Sequence, residues 1–298
     1  LPHQQSNPYH PMKNLLLTGI ILHSILSVTA QALSGHIHVD QFGYKPQANK
    51  IIVLSNPVSG FNSNLSYSPS STLEIMDVNT QTTVLSVSPQ SWNNGNTHDQ
   101  SGDQGWWLDI SSLQTEGIYY VWDPNANVRS PQFSFSENPY QEALYHTGRM
   151  FFYNRCNAPK SAPYADAKWI DSDNFSQDLQ AAYINEPNNS SLLRDVSGGW
   201  FDAGDYNKYV TFTHETLHNL LAAYESNPDA FAEDWNLPES GNGIPDILDE
   251  IKWELEWLEK MQNTDGSVHI KAGSKNYSEN TASPPSQNTD PRYYGPTC

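Results

Sequence analysis

Residues 195–209 read DVSGGWFDAGDYNKY, and the chemistry in them is carboxylate chemistry. Asp202 and Asp205 stand three apart, flanked by Trp200, Phe201, Tyr206 and Tyr209. On a helical turn or in a tight loop, an i, i+3 pair points to one side. Two carboxylates that close repel, which raises one pKa or calls for a shared proton, water or cation. Framed by rings, such a pair can hold and deprotonate a water beside a stacked pyranose. A calcium loop is the weaker reading, because it wants more alternating oxygen ligands than Asp202 and Asp205 supply. An ordinary Asx-turn is the bland one. Gly198, Gly199 and Gly204 bring the backbone close to something.

A second spacing, HETLH at 214–218, superficially matches the H-E-x-x-H zinc-protease motif. It lacks a third ligand in a defined structural context, so His214 and His218 are set aside as a site.

The elements that must position the aspartates differ along the chain. From about 36 to 136, short apolar runs alternate with turn residues. Candidate strands cover 36–39, 50–54, 73–78, 83–87, 106–110, 118–122 and 132–135. Seven short strands without a helical period indicate a β-sandwich. The run 118–122 is apolar on both faces and reads as central. After the break Glu137-Asn138-Pro139 the texture turns helical. Helices are expected over 140–154, 212–224 and 244–261, and about four in all. Leu217, Leu220, Leu221 and Tyr224 share one face of the second. In the third, Pro245 suits a first turn. Its expected buried stripe is Ile244, Ile247, Leu248, Ile251, Leu255 and Leu258, with Trp253 and Trp257 off the stripe but still read as core.

Composition narrows the partners. Length, 298 residues, suggests about two domains. Acidic residues outnumber basic ones 33 to 15, a formal net charge of −18. That argues against nucleic acid, which needs a Lys/Arg surplus, and against a polybasic membrane anchor. Nine Trp and 16 Tyr among abundant neutral polar residues suit an uncharged, hydroxyl-rich ligand. On composition alone, an aromatic core in a β-rich secreted protein accounts for them better. Two cysteines, Cys156 and Cys298, make no disulfide framework.

The stretch 12–32 has a basic start at Lys13, an interrupted apolar run and the small-x-small sequence Ala30-Gln31-Ala32. It reads as a secretory signal peptide. Residues 1–11 then read as a non-native upstream extension. The expected location is secreted, periplasmic or cell-surface, with no membrane contact after signal removal.

At SGGWFDAGDYNKY the chain resembles glycoside hydrolase family 9, the inverting β-1,4-glucanases. The resemblance continues through HVDQFGYKPQANK at 38–50, similar to the start of an Ig-like module that precedes many of these domains. It extends to ALYHTGRMFFYNRC at 143–156, GNGIPDILDEIKWELEWLEKMQ at 241–262, DGSVHIKAG at 265–273 and YYGPT at 293–297. The implied fold is an all-β Ig-like sandwich at 35–136, a linker at 137–139 and the first part of an all-α (α/α)6 barrel at 140–298.

The resemblance implies that Asp205 is the general base and that Asp202 holds the same water. Inversion needs base and acid about 6.5–9.5 Å apart to leave room for it. The family's acid is a glutamate near the end of its catalytic domain, which this sequence does not reach, so this stretch alone is expected to be inactive. Its helical part is expected to be insoluble or molten by itself. Glu239, Glu250, Glu254 and Glu256 read as surface or structural carboxylates. Tyr206 and Tyr209 are expected to line the cleft, and Trp200 to pack the motif. His269 and Lys271 are candidates for sugar hydroxyls, and Arg292 and Tyr293 are sugar contacts by family position. The substrate is then a β-glucan or a cello-oligosaccharide. No cofactor is required. Structural calcium is common in the family, at sites this sequence does not identify. The family's zinc site uses a cysteine at Cys156 with a later Cys-His pair, which is absent here, so Cys156 reads as a buried free thiol. Two alternatives stay open: an exo-acting β-glucosidase or β-glucosaminidase, and a non-catalytic carbohydrate-binding or adhesion protein.

Overall fold

The computed structural model describes residues 31–276 and 282–298. The expected upstream extension, 1–11, and nearly all of the signal-like stretch, 12–30, lie outside the described residues. Tertiary contacts divide the chain into two compact units. Of the described residues, one comprises 31–38, 52–108 and 120–132; the other comprises 39–51, 109–119, 133–276 and 282–298.

The first part of the chain is built from ten strands: β1 (Ala32–Leu33), β2 (Ile37–His38), β3 (Ile51–Pro57), β4 (Leu73–Asp77), β5 (Thr83–Val87), β6 (Gln90–Ser91), β7 (Asp103–Asp109), β8 (Gly117–Asp123), β9 (Val128–Arg129) and β10 (Phe133–Phe135). They form two sheets. One runs β1-β9-β8-β4-β5 with β10 also on β8; the other runs β2-β3-β7-β6. Strand β8 is interior, as its two-sided apolar pattern requires. In β3, Ile52 and Leu54 are fully buried while Val53 is exposed, the period-2 alternation of a one-sided sheet. Leu73, Ile75, Leu108 and Val121 are fully buried as well. All seven expected strands are present. The three that were not expected, β1, β6 and β9, have two residues each, too few to show alternation.

The second part carries three α-helices among the described residues: α1 (Gln141–Asn154), α2 (Val210–Ser226) and α3 (Asp246–Met261). Phe152 of α1, Leu217 of α2 and Ile247 and Ile251 of α3 share one core with Trp200, Phe231, Trp235 and Leu237. Gly148 is required in α1 because a Cβ there would lie 2.6 Å from the Trp235 ring. Arg149, one residue on, is buried and donates to the carbonyls of Trp235 and Asn236 at 2.6 and 2.8 Å, stapling that loop to the helix.

Helix α3 buries Ile247 and Ile251 of the expected stripe, with Leu248 and Leu258 partly buried, but its buried face extends beyond that stripe. Leu255 and Ile244 are exposed, whereas Glu250, Glu254, Trp257 and Met261 are buried. The expected stripe counted only apolar side chains, and this face is lined in part by carboxylates with partners. Trp257 is core, as expected, and Trp253 is packed against it in part.

Four further strands, β11 (Ala182–Tyr183), β12 (Lys208–Tyr209), β13 (Lys271–Gly273) and β14 (Tyr293–Tyr294), form a small sheet in the order β11-β14-β13-β12. It joins four segments that are far apart in sequence. Pairing sets Tyr209 opposite Lys271, and Gly273 opposite Tyr293.

Candidate active site

The segment 195–200 lies along α3 and is held at each turn of it. Lys260 Nζ donates to Ser197 O at 3.0 Å. Trp253 Nε1 donates to Gly199 O at 3.2 Å. Trp200 donates its backbone N–H to Glu254 Oε2 at 2.7 Å and its indole N–H to Glu250 Oε2 at 3.2 Å. The approach is close enough to demand glycine. Gly199 has φ +75°, and a Cβ there would meet the Trp257 ring at 2.7 Å. Glu250 is bound from its other side by Arg155, whose Nε lies 3.1 Å from Oε1, while Arg155 Nη1 reaches Glu239 at 2.9 Å. Glu239, Glu250 and Glu254 therefore act structurally, in holding the motif.

Beyond Trp200 the chain turns through Asp202 and Asp205. Asp202 is exposed and its backbone N–H donates to Asn207 O at 2.8 Å, closing the turn. Its carboxyl is pushed above the usual carboxylate range, first by partial desolvation and then by the negative charge of Asp205. Asp205 is buried at 8% exposure. Its carboxylate accepts from Asn207 at both oxygens, the backbone N–H at 3.2 Å and the side-chain amide at 2.8 Å. Tyr209 Oη donates to Oδ2 at 3.4 Å. Asn207 is itself locked: Ser274 N donates to its Oδ1 at 2.9 Å. Strand β13 is the neighbour on that side, and it lacks a side chain at Gly273, where a Cβ would fall 1.9 Å from Asn207 Oδ1. Lys271 brings a positive charge to the same place. Its Nζ lies 5.3 Å from the Tyr209 ring centroid, and burial draws its pKa below the usual lysine range against the opposing pull of Asp205.

Beneath the turn is a buried ionic cluster that sequence reasoning did not single out. Asp178 is fully buried and pairs with Lys208 Nζ at 2.9 Å and Arg292 Nε at 2.8 Å. Lys208 also donates to the carbonyls of Val196 and Gly198, at 2.6 and 2.8 Å. Arg292 Nη1 donates to Tyr206 O at 2.8 Å, where Tyr206 holds a left-handed φ of +51°. The three side chains thus tie both ends of the aspartate turn to one point. Burial would raise the Asp178 carboxyl, but Lys208 and Arg292 outweigh it and hold it at about 2. A lysine among so many rings was a readable signal that a buried partner exists. Nothing local marked Asp178 as that partner.

Two of the expected sugar contacts, Arg292 and His269, are buried side chains with partners within the protein. Arg292 is buried at 2% exposure, with its guanidinium engaged by Asp178, Tyr206 O and the Phe175 ring 4.3 Å away. Its place is under the site. His269 is buried too; its Nδ1 donates to Gly295 O at 2.8 Å and its ring packs on Tyr294 at 4.7 Å. Burial holds its pKa below the usual histidine range. It braces β14. Tyr206 is half-buried, with its ring packed against Phe201 and Phe175 at 5.0 and 5.7 Å. Tyr209 stands beside Asp205, and Tyr293 is half-buried on the same small sheet, lining an open groove of 510 Å³ with Gln177 and Gln180. Trp200 packs the motif.

Cys156 is a buried free thiol beside Asp178, its pKa pushed up to about 12 by burial. Among the described residues no group of three His, Cys, Asp or Glu side chains is placed to hold a metal ion. His214 is turned to its own helix, with Nδ1 3.0 Å from Thr211 O. Among the described residues no helix is long and apolar enough to cross a membrane.

Comparison with known proteins adds to this geometry. Residues 140–296 match the family model for glycosyl hydrolase family 9, and residues 32–126 match that for the cellulase N-terminal ig-like domain. Endoglucanase D of Acetivibrio thermocellus is 33% identical over 172 residues, covering 57% of this chain and 27% of its own length. A cellulose 1,4-beta-cellobiosidase of the same organism is 28% identical over 306 residues, covering 87% of this chain and 31% of its own length. The crystal structure of a metagenome-derived glycoside hydrolase family 9 endoglucanase superposes with a TM-score of 0.70 at 32% identity, over 88% of this chain and 46% of that one. The chain thus spans about a quarter to a third of the length of these curated relatives.

Proposed function

The chain belongs to glycosyl hydrolase family 9, and from that membership we propose that the protein hydrolyses β-1,4-linked glucan with inversion at the anomeric carbon. Asp205 is the general base and Asp202 the second ligand of the attacking water. The observation that carries this reading is the unequal setting of the two carboxylates. Asp205 is buried and fixed at both oxygens by Asn207, while Asp202 stands exposed across the turn. A fixed carboxylate presents its free lone pairs in one direction, which orients a water for deprotonation. Asp202 holds the same water from the open side. As the water oxygen bonds to the anomeric carbon, its proton passes to Asp205 and the glycosidic bond breaks. The leaving oxygen takes a proton from an acid on the opposite side of the sugar ring. Glu239, Glu250 and Glu254 are committed to Arg155 and Trp200, so none of them is assigned as that acid.

Tyr209 on β12 and Tyr293 on β14 of the same small sheet supply rings for stacking and hydroxyls for hydrogen bonding. A polymeric glucan lies outside the cell, in keeping with an exported protein and the signal-like stretch at 12–32. The cellobiosidase among the relatives favours a second reading, exo-acting release of short oligosaccharides. The test is proton NMR of the first product formed on a soluble β-1,4-glucan by the chain extended through a whole catalytic domain, which is also the protein for every kinetic measurement below. Inversion predicts the α-anomer first. A β-anomer first refutes Asp205 as a base, and a single short product from the outset selects the exo-acting version.

A further inference from the structure

The sandwich carries an aromatic groove that the aspartate site does not use. It has a volume of 240 Å³ and is lined by Trp92, Trp106, Trp107, His98, Gln104 and Ser55, among others. Trp107 lies on β7 with 49% of its surface exposed, a large apolar ring left in water. Val53, also on the groove wall, is 42% exposed. A soluble protein leaves few such indoles open without a use for them.

The groove is also built rather than incidental. Strand β6 pairs Gln90 with Trp107 and Ser91 with Trp106, which delivers the next residue, Trp92, to the groove edge. The backbone then makes a left-handed turn: Asn93 at φ 46°, ψ 43°, Asn94 at φ 55°, ψ 27°, and Gly95 at φ 82°. Successive left-handed residues are disfavoured for L-amino acids, so this turn is held by its surroundings. Gln104 supplies the hold, donating from Nε2 to Gly95 O at 3.0 Å and accepting from Asn56 at 3.3 Å. The Trp92 ring rests 5.4 Å from the His98 ring.

The chemistry of the lining selects the ligand. Among the described residues no Lys or Arg lines the groove and one carboxylate does (Asp103), and the chain carries −18 overall. An anionic ligand would find no counter-charge and a repelling field. What remains is indole faces with neutral hydrogen-bonding groups at their rim. That combination suits the C–H face and ring hydroxyls of a neutral pyranose. We propose that this groove is a second glycan-binding site, on the sandwich, that takes a neutral pyranose chain stacked on Trp107. The choice of β-glucan as the chain rests on the proposed activity.

The test is affinity electrophoresis of the full chain through gels containing hydroxyethylcellulose, with the hydrolysis-blocked Asp205→Asn protein as parent. Trp107→Ala in that background should weaken retardation by about fivefold to tenfold in apparent Kd, and Trp107→Phe should restore most of it. Equal retardation with and without Trp107→Ala overturns the proposal, because all binding then lies elsewhere. So does a Trp107-dependent dimer in sedimentation, which makes a second copy the occupant. Trp107-dependent retardation by another neutral polysaccharide, such as mannan, and none by β-glucan upholds the groove and fails the glucan reading alone. Hydrolysis is measured separately on the protein with Asp205 intact, so failure of the catalytic reading leaves this result standing.

Discussion

Asn207 grips both oxygens of Asp205, one with its backbone N–H at 3.2 Å and the other with its side-chain amide at 2.8 Å. A residue two positions along the chain thereby fixes the orientation of the carboxylate proposed as the base. Ser274 fixes Asn207 in turn, so the orientation is relayed from β13. On this geometry Asn207→Ala should lower kcat by roughly tenfold to a hundredfold while KM stays within about twofold, because orientation matters to the reacting water more than to sugar binding. Steady-state kinetics on soluble β-glucan checks it. A rise in KM with kcat unchanged would mean that Asn207 shapes the sugar site instead.

Removing the base itself should be more severe. Asp205→Ala should reduce kcat by roughly 10²- to 10⁴-fold, the usual contribution of a positioned base. The far-ultraviolet circular dichroism should match the parent protein, since the turn is also held by Lys208 and Arg292. Full activity in that variant would remove Asp205 from the mechanism.

The Asp178 cluster predicts a stability effect with a defined sign. Asp178→Asn leaves Lys208 and Arg292 buried with no counter-charge, and should cost roughly 3–5 kcal/mol. The carboxyl is held at about 2, below the ordinary aspartate value of 3.8. Its contribution is therefore complete above about pH 4 and lost as pH falls through about 2. Urea denaturation at pH 7 and at pH 2.5 checks both. The gap between parent and variant should narrow at the lower pH, and an unchanged gap would show that the ion pairs do not contribute.

Much of this architecture was legible because local pattern suffices for it. Alternation marked seven strands, and the spacing of Ile247 and Ile251 marked α3. The aspartate pair stood out by residue type alone. What escaped reading depends on long-range pairing. The sheet that joins Tyr209 to Lys271 and Gly273 to Tyr293 is made of pieces two or three residues long. No pattern in such short pieces names their partners. The buried face of α3 escaped for a related reason. Glu250 and Glu254 look like surface residues until Arg155 and Trp200 arrive from elsewhere in the chain. The burial of Arg292 escaped in the same way, since its partner Asp178 is 114 positions away.

Gly199 tests the packing of the motif on α3. Alanine there would place a methyl 2.7 Å from the Trp257 ring at a φ of +75°. Strain and overpacking together should destabilise the protein by roughly 2–4 kcal/mol. Differential scanning calorimetry should show a lower Tm, and Gly204→Ala, where a Cβ meets nothing within 4 Å, should change it far less. Equal effects at the two glycines would mean that the close approach to Trp257 is unimportant.

Glu254 sets a pH dependence opposite in sign to that of Asp178. It is fully buried on α3 and accepts from Trp200 N at Oε2. Burial pushes its pKa up to about 8, against the smaller opposing effect of the Trp200 N–H. In the unfolded chain the same carboxyl ionises near 4.5. Between these values the folded state binds a proton that the unfolded state has released, so folding stability falls as pH rises from about 4.5 to about 8. Glutamine reproduces the neutral acid in shape and keeps an acceptor for Trp200. Glu254→Gln should therefore remove most of that decline, on the order of 2–4 kcal/mol across the interval. Urea denaturation of parent and variant at pH 5 and pH 8 reads it directly: the parent should lose stability between the two and the variant should lose much less. Identical losses would place the titrating group elsewhere and leave Glu254 ionised in the folded protein.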